Sequence, residues 1–162
     1  MSKQPDNILF HDKNFKRDHP CSSVEWVRIK DITANPQYFS NDPCPCDLKQ
    51  GDLGNCFFIS AIHTLILYFS THRNLLHKFL ERIKSWQRFD TADYTGKFTF
   101  SLWNGFAYQD VEVDDYLPVN KNDSNTRLFS GNRHGEYWPP LLEKATLKLL
   151  NLTYKDFDKG GY

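Results

Sequence analysis

Residues 50–69 read QGDLGNCFFISAIHTLILYF and join a glycine-containing turn to the most apolar segment of the chain. Apolar side chains at most positions from 57 to 69 would cover nearly every side of a helix. A helix that is apolar all round is typically buried. The pattern therefore predicts a central, buried helix over residues 53–69, which would form the axis of the domain.

An antiparallel hairpin is predicted in the middle of the chain. Residues 97–103 alternate apolar and polar side chains, and the Asn-Gly pair at 104–105 favours a two-residue turn. Such a turn would place Phe98 opposite Val111. On the returning strand, the alternation predicts that Asp114 lies on a solvated face, opposite the valines.

Helices are predicted on both sides of the hairpin. A stripe of apolar residues at helical spacing indicates a helix over residues 74–86. A last helix should begin near Tyr137, where two prolines suit the first turn, and the polar residues 119–135 predict a long loop. Residues 1–50 contain five prolines and predict an N-terminal arm with loops that wraps a core formed by residues 51–162. The predicted fold class is α+β.

Composition excludes several classes of protein. The chain has 162 residues, of which 40% are hydrophobic and 25% charged, as in ordinary globular domains. Because 20 Lys and Arg balance 20 Asp and Glu, no excess of positive charge indicates a nucleic-acid partner. The apolar run at 56–69 is shorter than the ~20 residues of a transmembrane helix. The N-terminus lacks the apolar stretch of a signal peptide, so we expect a cytoplasmic protein with reduced thiols.

Cys56 is the candidate nucleophile. It would lie in the first turn of the predicted helix, where unpaired N–H groups and the helix dipole favour an anion such as a thiolate. Gly51 and Gly54 would let the backbone and a substrate approach closely. The side-chain amide of Gln50 and the N–H of Cys56 would together form an oxyanion hole. On spacing alone the alternative stays open that Cys56 is a small buried apolar residue, as most free cysteines are.

Other polar residues favour structural explanations. His63 follows Cys56 by seven residues, which is about 10.5 Å of helical rise and too far for a nucleophile–base hydrogen bond of about 3 Å. The apolar residues around His63 predict that it is buried. Cys44 and Cys46 lack a second pair of ligands that would complete a zinc site.

The chain resembles the calpain family, whose members are papain-like, calcium-dependent cysteine proteases. Residues 50–56 (QGDLGNC) match the nucleophile segment Gln-Gly-x-Leu-Gly-(Asp/Asn)-Cys of that family. Five further blocks match in the same order as in the family. They are residues 10–15 (FHDKNF), 26–32 (WVRIKDI), 94–98 (YTGKF), 113–118 (VDDYLP) and 136–145 (EYWPPLLEKA).

The resemblance implies a papain-like cysteine protease fold, with this chain as the helical, Cys-bearing subdomain of the protease core. Cys56 would attack a peptide carbonyl and form a thioester, and Gln50 would donate a hydrogen bond to the oxyanion. The catalytic His and Asn of the family belong to a second subdomain, which follows the point where this sequence stops. We therefore expect that the 162 residues alone do not hydrolyse peptides.

The resemblance also implies one calcium ion. Its ligands would be the carboxylates of Asp47 and Glu136 together with backbone carbonyls near Ser40 and Asp42. Oxygen ligands from separate loops suit calcium, which accepts irregular geometry. The ion would clamp the 40–47 loop, which leads directly to Gln50, against the start of the last helix.

The function implied is that of a calpain-like, calcium-dependent cysteine endopeptidase that performs limited proteolysis on intracellular protein or peptide substrates. A His- and Asn-bearing subdomain, in the full-length protein or in a second chain, would be its obligatory partner. The alternative is a non-catalytic calpain-like module that regulates a partner or binds peptides.

Overall fold

The computed structural model describes residues 9–39, 48–122 and 128–160. In these residues, eleven short elements follow one another along the chain. They are β1 (Val24–Arg28), α1 (Ile29–Ile32), β2 (Leu48–Lys49), α2 (Cys56–Thr71), α3 (Arg73–Arg82), β3 (Lys97–Trp103), β4 (Tyr108–Asp114), β5 (Tyr116–Asn120), β6 (Gly131–Asn132), α4 (Trp138–Leu150) and α5 (Tyr154–Phe157). The mixture of helices and small antiparallel sheets is the predicted α+β class.

The described strands pair as three two-stranded antiparallel sheets, β1 with β5, β2 with β6 and β3 with β4. The pairing of β1 with β5 joins the N-terminal arm to the chain that follows the hairpin. The predicted loop over residues 119–135 is wrong at both ends, because β5 extends to Asn120 and β6 occupies Gly131 and Asn132.

The predicted hairpin is present, but its register differs from the prediction. Phe98 lies opposite Val113 instead of Val111, because four residues and not two connect the strands. The side chain of Asn104 accepts hydrogen bonds from the N–H groups of Phe106 and Ala107, both at 2.9 Å. The backbone N–H of Asn104 also donates to the Ala107 carbonyl at 3.0 Å, so backbone and side chain of Asn104 together close the loop.

The central helix of the described chain is α4, not α2. Nine of its thirteen residues are buried, including the large side chain of Trp138 and the completely covered Leu141 and Ala145. The helix begins with Pro139 and Pro140 in its first turn, as predicted. Its buried face packs against the hairpin strands β3 and β4. The hydrophobic core therefore forms around the last long helix.

The prediction of a central, buried helix over residues 53–69 is wrong in position. Only Phe58 and Ile66 of helix α2 are buried, whereas Leu65, Leu67 and Tyr68 are 44%, 54% and 49% exposed. Apolar residues on every side of a helix indicate that its burial is favourable. They do not indicate whether the same chain or another domain buries it. In the described residues α2 packs on one side only, mainly against α3.

Asp114 is buried, so its predicted place on a solvated face is wrong. The ammonium of Lys144, which is also completely buried, donates to the Asp114 side chain and backbone, and Arg17 donates to the other carboxylate oxygen at 2.9 Å. Lys144 of α4 and Arg17 of the N-terminal segment cover the carboxylate that alternation predicted to be solvated. Within the described residues, no helix is both long enough and apolar enough to cross a bilayer.

Candidate active site

Cys56 is the first residue of α2, and its side chain is exposed. The backbone carbonyl of Asn55 starts the helix by accepting the N–H groups of Phe58 at 3.0 Å and Ile59 at 3.2 Å. The N–H groups of Cys56 and Phe57 have no acceptor within the helix, because the first turn of any helix lacks one. Because Cys56 is exposed, the alternative that it is a small buried apolar residue is wrong. The residue lies at the end of the helix where the first backbone N–H groups have no partner within the helix.

The turn before Cys56 is fixed by the end of α5. The backbone N–H of Gly54 donates to a side-chain oxygen of Asp158 at 3.0 Å. A Cβ atom on Gly54 would lie 2.6 Å from the Asp158 carbonyl oxygen, a distance that real side chains essentially never show. Gly54 is thus required by contact within the chain, and this contact differs from the substrate contact that the sequence suggested. The rings of Phe57 and Phe58 pack on Phe157, with centroids 5.3 and 5.6 Å away.

Gln50 lies in the same turn. Its side-chain amide donates to the backbone carbonyl of Leu53 at 2.5 Å. Because a primary amide carries two N–H donors, this bond leaves the second one for another acceptor. The hydrogen bond holds the Gln50 side chain back over the turn that leads to Cys56, and the role of Gln50 in an oxyanion hole remains a prediction.

Asn55 connects the start of α2 to the central helix. Its side chain is completely buried and does not cap α2. Instead the amide Nδ2 donates to Oε2 of Glu143 at 2.9 Å, and the same oxygen accepts the backbone N–H of Ser130 at 3.2 Å. Burial raises the pKa of Glu143 to about 7, while hydrogen bonds from Ser130 and Asn55 partly oppose the shift. Sequence patterns alone do not identify Glu143 as part of this site, although an acidic residue inside the apolar face of a helix is a usable signal.

Neither His63 nor His19 forms a hydrogen bond with Cys56 in the described part of the chain. His63 is exposed on α2, so the prediction that it is buried is wrong. His19 is buried, where its ring nitrogens contact the Leu128 carbonyl at 3.3 Å and the Cys21 N–H at 3.0 Å. Burial lowers the pKa of His19. These contacts assign neither ring to Cys56 as a base.

Glu136 is the one predicted metal ligand within the described residues, since Ser40, Asp42 and Asp47 lie outside them. Its carboxylate is buried, and one oxygen accepts Asn132 Nδ2 at 2.5 Å and Trp138 Nε1 at 3.0 Å. The described part of the chain contains no group of three or more His, Cys, Asp or Glu side chains that would hold a metal ion by itself. A calcium site at Glu136 would thus need ligands from the 40–47 segment.

The described residues that flank this segment on either side lie beside Glu136. Before it, the carbonyl of Tyr38 accepts the N–H of Trp138 at 3.1 Å, and Gln37 forms a bridge with Glu136. After it, Leu48 pairs with Asn132, whose side chain accepts the N–H of Glu136 at 2.8 Å. The buried Glu136 carboxylate and the fixed positions of the residues on both sides of the 40–47 segment fit an oxygen-ligated cation at this position.

Comparison with known proteins identifies the family. The family model described as calpain family cysteine protease matches residues 3–162. Calpain-12 of Mus musculus is 35% identical over 143 residues, which is 88% of this chain and 18% of that protein. The calpain-1 catalytic subunit of Gallus gallus is 35% identical over 151 residues, covering 91% of this chain and 20% of its own. Calpain-5 of Mus musculus is 32% identical over 150 residues, which is 93% of this chain and 23% of that protein.

The chain belongs to the calpain family of cysteine proteases. It spans about a fifth of the length of the curated relatives that it matches.

Proposed function

We propose that this chain is the nucleophile-bearing part of a calpain-type, calcium-dependent cysteine endopeptidase. The observation that carries the proposal is the exposed thiol of Cys56 at the start of α2, in a chain of a cysteine protease family. Protein and peptide chains would be the substrates, and hydrolysis would proceed through a thioester on this sulfur.

The chemistry would begin when the Cys56 thiol transfers its proton to a histidine and the thiolate attacks the substrate carbonyl carbon. The new C–S bond pushes an electron pair onto the carbonyl oxygen, which the Cys56 N–H and the free N–H of Gln50 would stabilise. The intermediate then collapses, the C–N bond breaks, and the amine leaves with the proton from the histidine. Water attacks the thioester, restores the thiol and releases the acid product.

The proton acceptor would come from a His- and Asn-bearing subdomain. The exposed face of α2 supports this partner, because Leu67 lies three helical turns from Cys56 on the same side and Tyr68 lies next to it. Exposed apolar side chains of this size on one helix face are typical of a surface that another domain covers. A domain on this face would reach the Cys56 sulfur at the helix end.

Calcium would bind between Glu136 and the 40–47 segment, with Asp47 as the second carboxylate and backbone oxygens near Ser40 and Asp42. The positive charge of the calcium ion would hold the two carboxylates and the backbone oxygens together. The segment is followed by β2 and then by Gln50. Ordering the segment would therefore stabilise the turn that carries the oxyanion donor.

The cellular location that we propose is the cytoplasm. Cys21 and Cys56 are both free thiols, which a reducing compartment would preserve.

A peptidase assay tests the half-site proposal. We expect no turnover of a fluorogenic peptide or of casein by the 162-residue chain with calcium. Turnover that disappears in Cys56→Ala would contradict the need for a second subdomain.

Reading the encoding transcript beyond this sequence separates the protease from the non-catalytic module. An in-frame segment with the family's His and Asn supports the protease, whereas a stop codon supports a regulatory or peptide-binding module.

Calorimetry tests the calcium site. The isosteric Glu136→Gln removes the charge of the proposed ligand, and we expect a weaker calcium response than in the wild type. Glu112→Gln is the matched control, because Glu112 is exposed on β4 and pairs with Lys97. Identical responses in the wild type and Glu136→Gln would exclude this site.

A further inference from the structure

Glu143 is a buried acid without a cationic partner among the described residues. It lies on the buried face of α4 and is completely covered. Its carboxyl group contacts the Asn55 side chain and the Ser130 backbone, but forms no ion pair with a described Lys, Arg or His. Asp114 on the neighbouring strand is equally buried but pairs with Lys144 and Arg17. The two acids therefore have different electrostatic environments.

Unpaired oxygen atoms surround the contact between Glu143 and Asn55. Among the described residues, no hydrogen-bond partner contacts Asn55 Oδ1, Glu143 Oε1, Ser130 Oγ or Tyr154 OH. A carboxylate adds only acceptors to this group, whereas a neutral carboxyl group adds an O–H donor. Since a buried charge without a cationic partner is unfavourable, burial favours the neutral form of Glu143. The two N–H donors on Oε2 favour the carboxylate and only partly offset this effect.

The position of Asn55 gives this cluster a route to the active site. Asn55 directly precedes Cys56, and its carbonyl sets the first two hydrogen bonds of α2. The side chain at this position usually caps its own helix. In this chain the Asn55 side chain is hydrogen-bonded to Glu143 of α4 instead. The direction of the first turn of α2 therefore depends on Glu143.

We propose that Glu143 is a positioning residue for the Cys56 thiol, and that its neutral carboxyl group holds Asn55 and with it the first turn of α2. The inference rests on the proposed function, in which Cys56 is the nucleophile. Loss of the proton would charge the oxygen that accepts from the Asn55 amide and the Ser130 N–H, shorten both hydrogen bonds and so alter this turn. The burial that raises the pKa of Glu143 to about 7 brings this change into the neutral range.

The groups that face Glu143 define what else titrates nearby. Tyr154 is buried, and its phenol pKa is raised by burial first and then by the charges of Glu143 and Asp114. His19 packs on the Tyr154 ring at 5.5 Å, and its pKa is lowered by burial. Tyr154 thus stays neutral over the range in which Glu143 titrates. His19 stays neutral above its lowered pKa.

Nuclear magnetic resonance on the 162-residue chain tests the proposal without relying on peptidase activity. Between pH 5 and 9, the Asn55 side-chain amide and the Cys56 backbone amide should shift together with a midpoint near 7. The shift should be absent in Glu143→Gln and present in Glu112→Gln, the exposed control. If neither amide titrates in the wild type, or if both titrate unchanged in Glu143→Gln, the proposal is overturned.

Alkylation of Cys56 by iodoacetamide, followed by peptide mapping, supplies the chemical readout. We expect Glu143→Leu, which removes the acceptor for the Asn55 amide, to change the Cys56 rate near pH 6 by about two- to tenfold, the equilibrium worth of one hydrogen bond. Glu143→Gln keeps a neutral acceptor and should match the wild type at this pH, and the Cys21 rate should not change in either variant. Asn55→Ala should change the Cys56 rate in the same direction as Glu143→Leu, and it decides the question if Glu143→Leu does not fold. Cys56 rates at pH 6 that equal the wild-type rate in folded Glu143→Leu and Asn55→Ala would overturn the proposal.

Failure of the proposed function gives a different result. Cys56 that reacts no faster than Cys21 in the wild type counts against a nucleophile. The inference about Glu143 depends only on the difference in Cys56 alkylation rate between the variants and the wild type, not on the comparison with Cys21.

Discussion

Gly54→Ala tests whether the turn before Cys56 is shaped by the end of α5. The added methyl group would lie 2.6 Å from the carbonyl oxygen of Asp158, which is a backbone atom and cannot rotate away as a side chain would. The φ angle of Gly54 lies outside the left-handed region, so alanine is compatible with the local backbone. Any loss of stability must therefore come from this contact.

The size of the effect follows from two terms. Overpacking of a closely packed site costs about 1–3 kcal/mol. Displacing the end of α5 would also break the hydrogen bond from the Gly54 N–H to the Asp158 side chain, worth about 0.5–1.5 kcal/mol. We expect the free energy of unfolding to fall by about 2–4 kcal/mol.

Urea unfolding of three chains measures the effect. Asp158→Ala is the matched control, because it removes the side-chain hydrogen bond but keeps the backbone carbonyl, and we expect a loss of about 1 kcal/mol. Gly54→Ala should be clearly less stable than this control and should alter the alkylation rate of Cys56. A Gly54→Ala chain within about 0.5 kcal/mol of the wild type, the usual range of a neutral surface substitution, would refute the reasoning.

Three further predictions concern the fold and its pH dependence. Lys144→Met leaves the buried carboxylate of Asp114 without its ammonium and should lower the free energy of unfolding in urea by about 3 kcal/mol; a loss below about 1 kcal/mol would contradict the buried pair. Leu67→Gln should stay within about 0.5 kcal/mol of the wild type, whereas Ile66→Ala should lose about 2–4 kcal/mol; equal losses would contradict the one-sided burial of α2. The pKa of Glu143 is higher in the folded chain than its ordinary 4.5. The unfolded chain therefore releases this proton first, and stability falls by about 3 kcal/mol as pH rises from 4.5 to above 7. Glu143→Gln should remove this fall relative to the wild type, and an unchanged pH dependence would contradict a neutral buried acid.

Local patterns in the sequence predict the three longest described helices and the hairpin well, but they do not predict the short helices α1 and α5. Helical spacing, the proline pair before α4 and the alternation in β3 each depend on residues close in the chain. The register of the hairpin fails because the side chain of Asn104 competes with the backbone for the N–H groups of Phe106 and Ala107. Neighbouring residues alone do not reveal which of these two turns is more stable.

Burial depends on distant parts of the chain and is harder to predict. The apolar residues of α2 indicate that a covering surface is favourable, but α4 is the helix that the described chain actually surrounds. Asp114 is buried because Lys144 and Arg17 reach it from positions 30 and 97 residues away. The alternation of a strand contains no information about such partners.

The candidate site was predictable in part. The Gln50–Cys56 spacing and the glycine turn point to a nucleophile at a helix start, and Cys56 lies there. The link from Asn55 to Glu143 was not predictable from spacing, since it joins residues 88 positions apart. The family motif includes both residues but does not state that they touch.

The most direct test of the account compares the reaction of Cys56 with a peptidyl epoxide in the native chain and in urea, with peptide mapping to separate it from Cys21. An exposed thiol beside unpaired N–H groups should react faster in the native chain than in the unfolded chain, whereas Cys21 should not. A Cys56 that reacts equally fast or more slowly when the chain is folded would contradict its role as the nucleophile.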